Sequence, residues 1–126
     1  MEHLLHYVWK HKLFSLEILQ TTSGRPVEVI DPGLPNMNAG PDFFNAKLKI
    51  DGTLWVGNVE VHTQASDWLL HRHDRDKAYD TVILHVVGES NCDVYRTNGE
   101  LVPQMVLTCP DTVRLRYEEL RQTEIY

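Results

Sequence analysis

A chain of 126 residues has room for one domain and one core, which buries about two-thirds of the surface its unfolded form exposes. Its 42% apolar and 24% charged residues make the composition of a soluble globular protein, and no apolar run approaches the roughly 20 residues of a membrane helix. The net charge of −6 argues against broad, sequence-independent binding to nucleic acid, which depends on basic residues neutralising phosphates.

Residues 2 to 20 read as a helix, because Leu4, Leu5, Val8, Trp9, Phe14, Leu16, Ile18 and Leu19 recur at three- and four-residue steps without Gly or Pro. Thr21-Thr22-Ser23-Gly24 ends it with turn chemistry. A first strand follows from Val27 to Ile30, then a breaker-rich loop from Leu34 to Pro41. Phe43 to Ile50 alternates as a second strand, with Phe44, Ala46, Leu48 and Ile50 on one face and Lys47 and Lys49 on the other. Asp51-Gly52 signals a type I′ hairpin into a third strand, Thr53 to Thr63. That strand puts Trp55, Gly57, Val59 and Val61 on one face, and Val56, Asn58, Glu60 and His62 on the other. Ser66-Asp67 offers an N-cap for a short helix through Trp68, Leu69 and Leu70. Thr81 to Val87 is a continuous apolar strand broken only by His85, which reads as buried in mid-sheet. Two weaker strands, Cys92 to Arg96 and Pro103 to Leu107, flank Asn98-Gly99, and Pro110-Asp111 opens a helix that meets no stop signal before Tyr126. The open helix implies a single domain over 1–126 that forms the N-terminal part of a longer protein.

Two carboxylates stand out in this frame. Asp42, after Gly40-Pro41, and Glu60 fall near the ends of neighbouring strands in otherwise hydrophobic β-structure. A carboxylate facing a sheet interior is costly unless a partner neutralises it, and a divalent cation such as Mg²⁺ or Mn²⁺ is a common answer. Glu60 and His62 are two apart on one strand, so both emerge on one face. Histidine is used seven times, and His62, His71, His73 and His85 fall close together. Around them lie Arg72, Asp76 and the further cations Arg75 and Lys77. The histidines suggest a second chemistry, a zinc-type centre on His62, His71 and His73. Blander readings stand beside these. Asp42 can cap a turn, Glu60 and His62 can be an exposed cross-strand pair, His85 can be a hydrogen-bonded core residue, and the 71–77 run can be a solvated loop. Trp55 and Trp68 read as core or lid packing.

The order of helix, three-strand meander, short helix and strand resembles the αβββαβ core of the PD-(D/E)xK nuclease-like superfamily. The motif residues Pro41-Asp42 and Glu60-x-His62 fall on its pattern, with histidine where the pattern has lysine. The resemblance implies an α/β fold with a mixed central sheet flanked by helices. It also implies Mg²⁺ or Mn²⁺ held by Asp42 and Glu60 for attack on a phosphodiester, with nucleic acid as the partner. The missing lysine leaves three readings: His62 acts as ligand or base, Lys47 or Lys49 reaches in from the adjacent strand, or catalysis is lost and a scaffold remains. Nearer still, the chain resembles the N-terminal part of an uncharacterised bacterial domain-of-unknown-function family. That likeness is carried by Asn38 to Phe43, Gly57 to His62, Ser66-Asp67-Trp68, His71-x-His73-x-x-Asp76-x-x-Tyr79 and Val82 to Val87.

The start, Met1 to His6, lacks the basic region and cleavage site of a signal peptide, and Cys92 and Cys109 have no C-x-x-C spacing, so a cytoplasmic protein with reduced thiols is expected. Two structural expectations follow. The carboxyl groups of Asp42 and Glu60 should lie close enough to share one cation. Thr81 to Val87 should be the most buried strand, parallel to the third.

Overall fold

The structure, a computed structural model, describes residues 1–13 and 19–123, with side chains described through residue 119. Helix α1 (Glu2–Lys10) buries Leu4, Leu5, Val8 and Trp9 on one face. It stops ten residues short of the expected end, and the reason is a left-handed cap. Lys12 takes φ +54°, its N–H bonds Trp9 O, and the Leu13 N–H reaches back to Val8 O. This is the paired-bond closure usually built on glycine, so apolar periodicity running through it gave no warning. Gln20 then lies in an isolated bridge with Pro26, while Phe14, Leu16 and Ile18 fall outside the described residues.

The sheet has six strands: β1 (Val27–Asp31), β2 (Leu34–Pro35), β3 (Phe43–Ile50), β4 (Thr53–Gln64), β5 (Val82–Glu89) and β6 (Gln104–Val106). Their spatial order is β1-β3-β4-β5-β6, with β2 paired to the start of β3. The pairings among β1 to β4 are antiparallel, while β4–β5 and β5–β6 are parallel. A parallel pair needs a crossover. Here helix α2 (Asp67–Leu70) and two 3₁₀ turns, His73–Arg75 and Lys77–Tyr79, supply it. Ser66 stands at the N-cap position of α2, but its hydroxyl accepts from Asn91 instead of capping. Helix α3 (Asp111–Thr123) returns to α1, where the rings of Tyr7 and Tyr117 lie 5.0 Å apart.

As expected, β5 is buried from Val82 through Val87 and runs parallel to β4. The Asp51-Gly52 turn has positive φ at both residues (51° and 79°), as a type I′ hairpin requires. Three other expectations are corrected. A bulge between Phe43 and Ala46, with Asn45 at φ +58°, breaks the alternation, so Phe43 is buried and Phe44 is the exposed neighbour. Trp55 is half exposed and lines a surface cleft with Val56 and Arg96, whereas Trp68 is fully buried. The segment Cys92 to Arg96 forms only a Tyr95–Leu101 bridge. One apolar cluster joins α1 to the sheet through Leu5, Trp9, Phe43, Leu48, Val59 and Leu84. A second gathers Trp68, Val82, Val94 and Val102. Cys92 and Cys109 are free thiols, and no helix among the described residues is long and apolar enough to cross a membrane.

Candidate metal centre

The parallel register sets Glu60 of β4 opposite His85 of β5, and His85 opposite Gln104 of β6. Three polar side chains thus form a row across the middle of a hydrophobic sheet, each less than 5% exposed. Buried polar groups have to find partners, and these find one another in a chain of fixed sense. Gln104 Nε2 donates to the Cys92 carbonyl (3.0 Å) and contacts Ser90 Oγ (2.9 Å). A carbonyl only accepts, so the amide nitrogen is pinned at that end and Gln104 Oε1 faces His85 Nδ1 at 2.8 Å. His85 Nδ1 therefore carries the proton. Burial pushes the His85 pKa down to about 4, against the opposing hydrogen bond to Gln104, so the ring is neutral and its Nε2 is an acceptor. His62 Nδ1, 2.7 Å from that nitrogen, must then donate.

This leaves His62 Nε2 turned toward Glu60 Oε2 at 3.2 Å. In a neutral ring that nitrogen is a lone pair facing a carboxylate oxygen, acceptor against acceptor. The contact closes only with positive charge between them, either a proton that makes His62 an imidazolium or a metal ion. His73 Nε2 converges on the same oxygen at 3.0 Å, while its Nδ1 is buried without a partner. Burial alone would push the Glu60 pKa up, but the contacts with His62 and then His73 outweigh it and hold it at about 2. Glu60 is thus an anion largely withdrawn from solvent.

His71 completes the group. One ring nitrogen from each of His62, His71 and His73 lies within 4.8 Å of the other two. His71 and His73 flank Arg72, whose left-handed φ of +58° turns the chain so that both rings face His62. The Tyr79 ring stacks on His73 with centroids 3.6 Å apart, and Trp68 meets His73 and His85 edge-on. Burial first, then the charges of Glu60 and Asp42, push the Tyr79 phenol up to about 12, so it stays protonated. Donor atoms held about 2.0–2.1 Å from one ion at tetrahedral angles are about 3.3 Å apart. The 3.0 and 3.2 Å separations of Glu60 Oε2 from two imidazole nitrogens are close to that edge. Nitrogen-rich donor sets suit Zn²⁺ or Mn²⁺ better than Mg²⁺, which prefers oxygen.

A protein-family model described as a protein of unknown function, DUF2851, matches residues 2–126 of this chain. The chain belongs to the DUF2851 family. No curated protein and no solved structure matches it, so the comparisons lend no support to the nuclease resemblance. In this DUF2851 chain the structure brings together six of the expected site residues, Asp42, Glu60, His62, His71, His73 and His85. Asp42 and Glu60 are tied reciprocally: the Asp42 N–H donates to Glu60 Oε1 (3.1 Å) and the Val61 N–H donates to Asp42 Oδ2 (2.8 Å). Each carboxylate thus already serves a protein donor. The reading of Glu60 and His62 as an exposed pair is overturned, since they are 4% and 2% exposed.

Lys47 and Lys49 do not reach the centre. They pair with Val56 and Leu54, and Val56 is about 13 Å along β4 from Glu60 at strand spacing. Asp76 caps the second 3₁₀ turn by accepting the Ala78 N–H, and Arg72, Arg75 and Lys77 are exposed around the turns. Sequence reasoning missed Gln104, Tyr79 and His6 as site members. Gln104 was detectable as the lone polar residue of an apolar run, and His6 by its one-turn spacing from Glu2 on α1. The relay from Gln104 makes an expected result. Gln104→Leu strands the His85 Nδ1 proton and the Cys92 carbonyl, and should cost about 1–3 kcal/mol of stability. Any affinity of the imidazole cluster for a transition ion should fall about 10–100-fold as the His62 tautomer is released. Denaturant melts and a metal titration check the two parts, and unchanged affinity would separate the relay from the centre.

Proposed function

We propose that this DUF2851 chain is a metal-dependent hydrolytic domain of nuclease-like type, with a transition ion such as Mn²⁺ or Zn²⁺ held by His62, His71, His73 and Glu60. The single observation behind this reading is the contact of His62 Nε2 and Glu60 Oε2, which a metal ion as well as a proton would close, in a site walled by Trp68 and Tyr79. The bound ion would lower the pKa of a coordinated water and polarise a phosphoryl oxygen. The exposed Arg72, Arg75 and Lys77 beside the histidines suit an anionic substrate, and a phosphodiester of nucleic acid is the class we assign. The finer fold reading, a restriction-endonuclease-like αβββαβ core, is supported by the order of helix, antiparallel meander, helical crossover and parallel strand.

A second reading, a catalytically silent scaffold, is favoured by one observation: both carboxylates of the Asp42–Glu60 pair already accept backbone N–H groups. Thermal melts with Mn²⁺, Zn²⁺ and Mg²⁺, paired with hydrolysis assays on single- and double-stranded DNA and RNA, decide between them. The hydrolytic reading expects about 2.7 kcal/mol of added stability at an ion concentration a hundred times Kd, with Mn²⁺ or Zn²⁺ ahead of Mg²⁺, and ion-dependent cleavage. Absence of both gives the scaffold.

A further inference from the structure

We propose that a second divalent cation binds at the junction of α1 and the start of β3, held by Glu2, His6 and Asp42. Glu2 and His6 are one helical turn apart, so α1 presents them on the same side. One ligand atom from each of Glu2, His6 and Asp42 lies within 4.8 Å of the other two. The His6 ring is seated against Phe43, with centroids 5.7 Å apart, and its Nε2 is withdrawn from solvent without a hydrogen-bond partner. That nitrogen is 3.4 Å from Asp42 Oδ2, too long for a good hydrogen bond and suited to a charge placed between the two groups.

The position of Asp42 is fixed independently of any ion, because the Val61 N–H holds its Oδ2 and its own N–H holds Glu60 Oε1. Asp42 therefore faces His6 while its tie to Glu60 leads to the imidazole cluster, and the two candidate cation sites adjoin across this one carboxylate pair. The donor sets differ in kind. Two carboxylates and one imidazole favour Mn²⁺ or Mg²⁺, whereas three imidazoles and one carboxylate favour Zn²⁺ or Mn²⁺. The partial positive charge at the N-terminus of α1 opposes a cation there, and the two carboxylates outweigh it. Two ions beside one carboxylate pair would both be available to polarise a phosphoryl group bound there. That role rests on the proposed function, while binding at Glu2, His6 and Asp42 does not.

The test counts Mn²⁺ per chain by calorimetry and by the loss of the free-ion electron paramagnetic signal, in the wild type and in Glu2→Gln, His6→Ala and His73→Ala. Circular dichroism confirms the fold of each, and Glu2→Gln keeps the readout open should His6→Ala disturb its packing on Phe43. The expected result is two equivalents in the wild type and one in each variant, with the lost equivalent weakened at least tenfold. One equivalent that is lost in Glu2→Gln but kept in His73→Ala sustains this site and removes the imidazole centre. One equivalent that is lost in His73→Ala but kept in Glu2→Gln overturns this site and leaves the imidazole centre standing. No bound Mn²⁺ in the wild type overturns both.

Discussion

Glu60→Gln is expected to abolish the thermal shift that Mn²⁺ or Zn²⁺ gives the wild type, together with any ion-dependent hydrolysis, while leaving the metal-free fold unharmed. The substitution keeps shape and removes the charge that balances a cation. Its effect on the metal-free protein follows from the relay. Gln104 and His85 fix His62 with its proton on Nδ1, so Nε2 presents a lone pair 3.2 Å from position 60. A glutamine amide nitrogen placed there donates to that lone pair without any cation, and its oxygen can still accept the Asp42 N–H that Glu60 Oε1 accepts now. The metal-free mutant should therefore still fold, without the contribution that the ionised Glu60 makes beside His62 and His73 in the wild type, while its ion affinity falls by more than about a hundredfold, beyond what loss of a supporting partner costs. Paired melts with and without ion read both quantities. A mutant that still gains stability from Mn²⁺ as the wild type does would remove Glu60 from the centre.

In metal-free protein, stability should fall as pH drops from 7 to 4.5, with His85 as the main source. The unfolded ring takes up a proton near pH 6.5, whereas the buried native ring resists protonation down to about 4. Between those values the unfolded state binds more protons, so stability rises with pH across the window and is lost as pH falls through it. At 1.36 kcal/mol per unit, the whole effect is about 3 kcal/mol, most of it spent by pH 4.5. Glu60 acts in the same direction but lower, between the ordinary carboxylate range and its native value of about 2. His6 acts with opposite sign. Burial works against its charged ring, but Asp42, Glu2 and Glu60 outweigh burial and raise its pKa, so its contribution is lost as pH climbs. It is partly exposed and solvent weakens its part. Denaturant melts of wild type and His85→Gln across this range, with chelator present, give the slopes. The variant should lose most of the slope between pH 6.5 and 4.5, and a variant that keeps it would move the effect to another group.

Elements whose signals are local were legible in the chain. Alternation and Asp51-Gly52 gave the β3–β4 hairpin, the apolar run gave a buried β5, and Glu60-x-His62 placed two polar groups on one face of one strand. Local signals failed where the backbone leaves its ordinary conformations at residues that do not advertise it: Lys12 closing α1, Asn45 in the bulge of β3, and Arg72 turning His71 and His73 toward His62. The site itself was only half legible. Its carboxylates and histidines could be named in advance, but the role of each was decided by the parallel register that sets Glu60, His85 and Gln104 in one row. Spacing along a chain says which side chains share a strand face. Which lone pair meets which proton depends on how separate strands are paired, and here the orientation of one amide on β6 fixes which nitrogen of His62, two strands away on β4, is free to face Glu60.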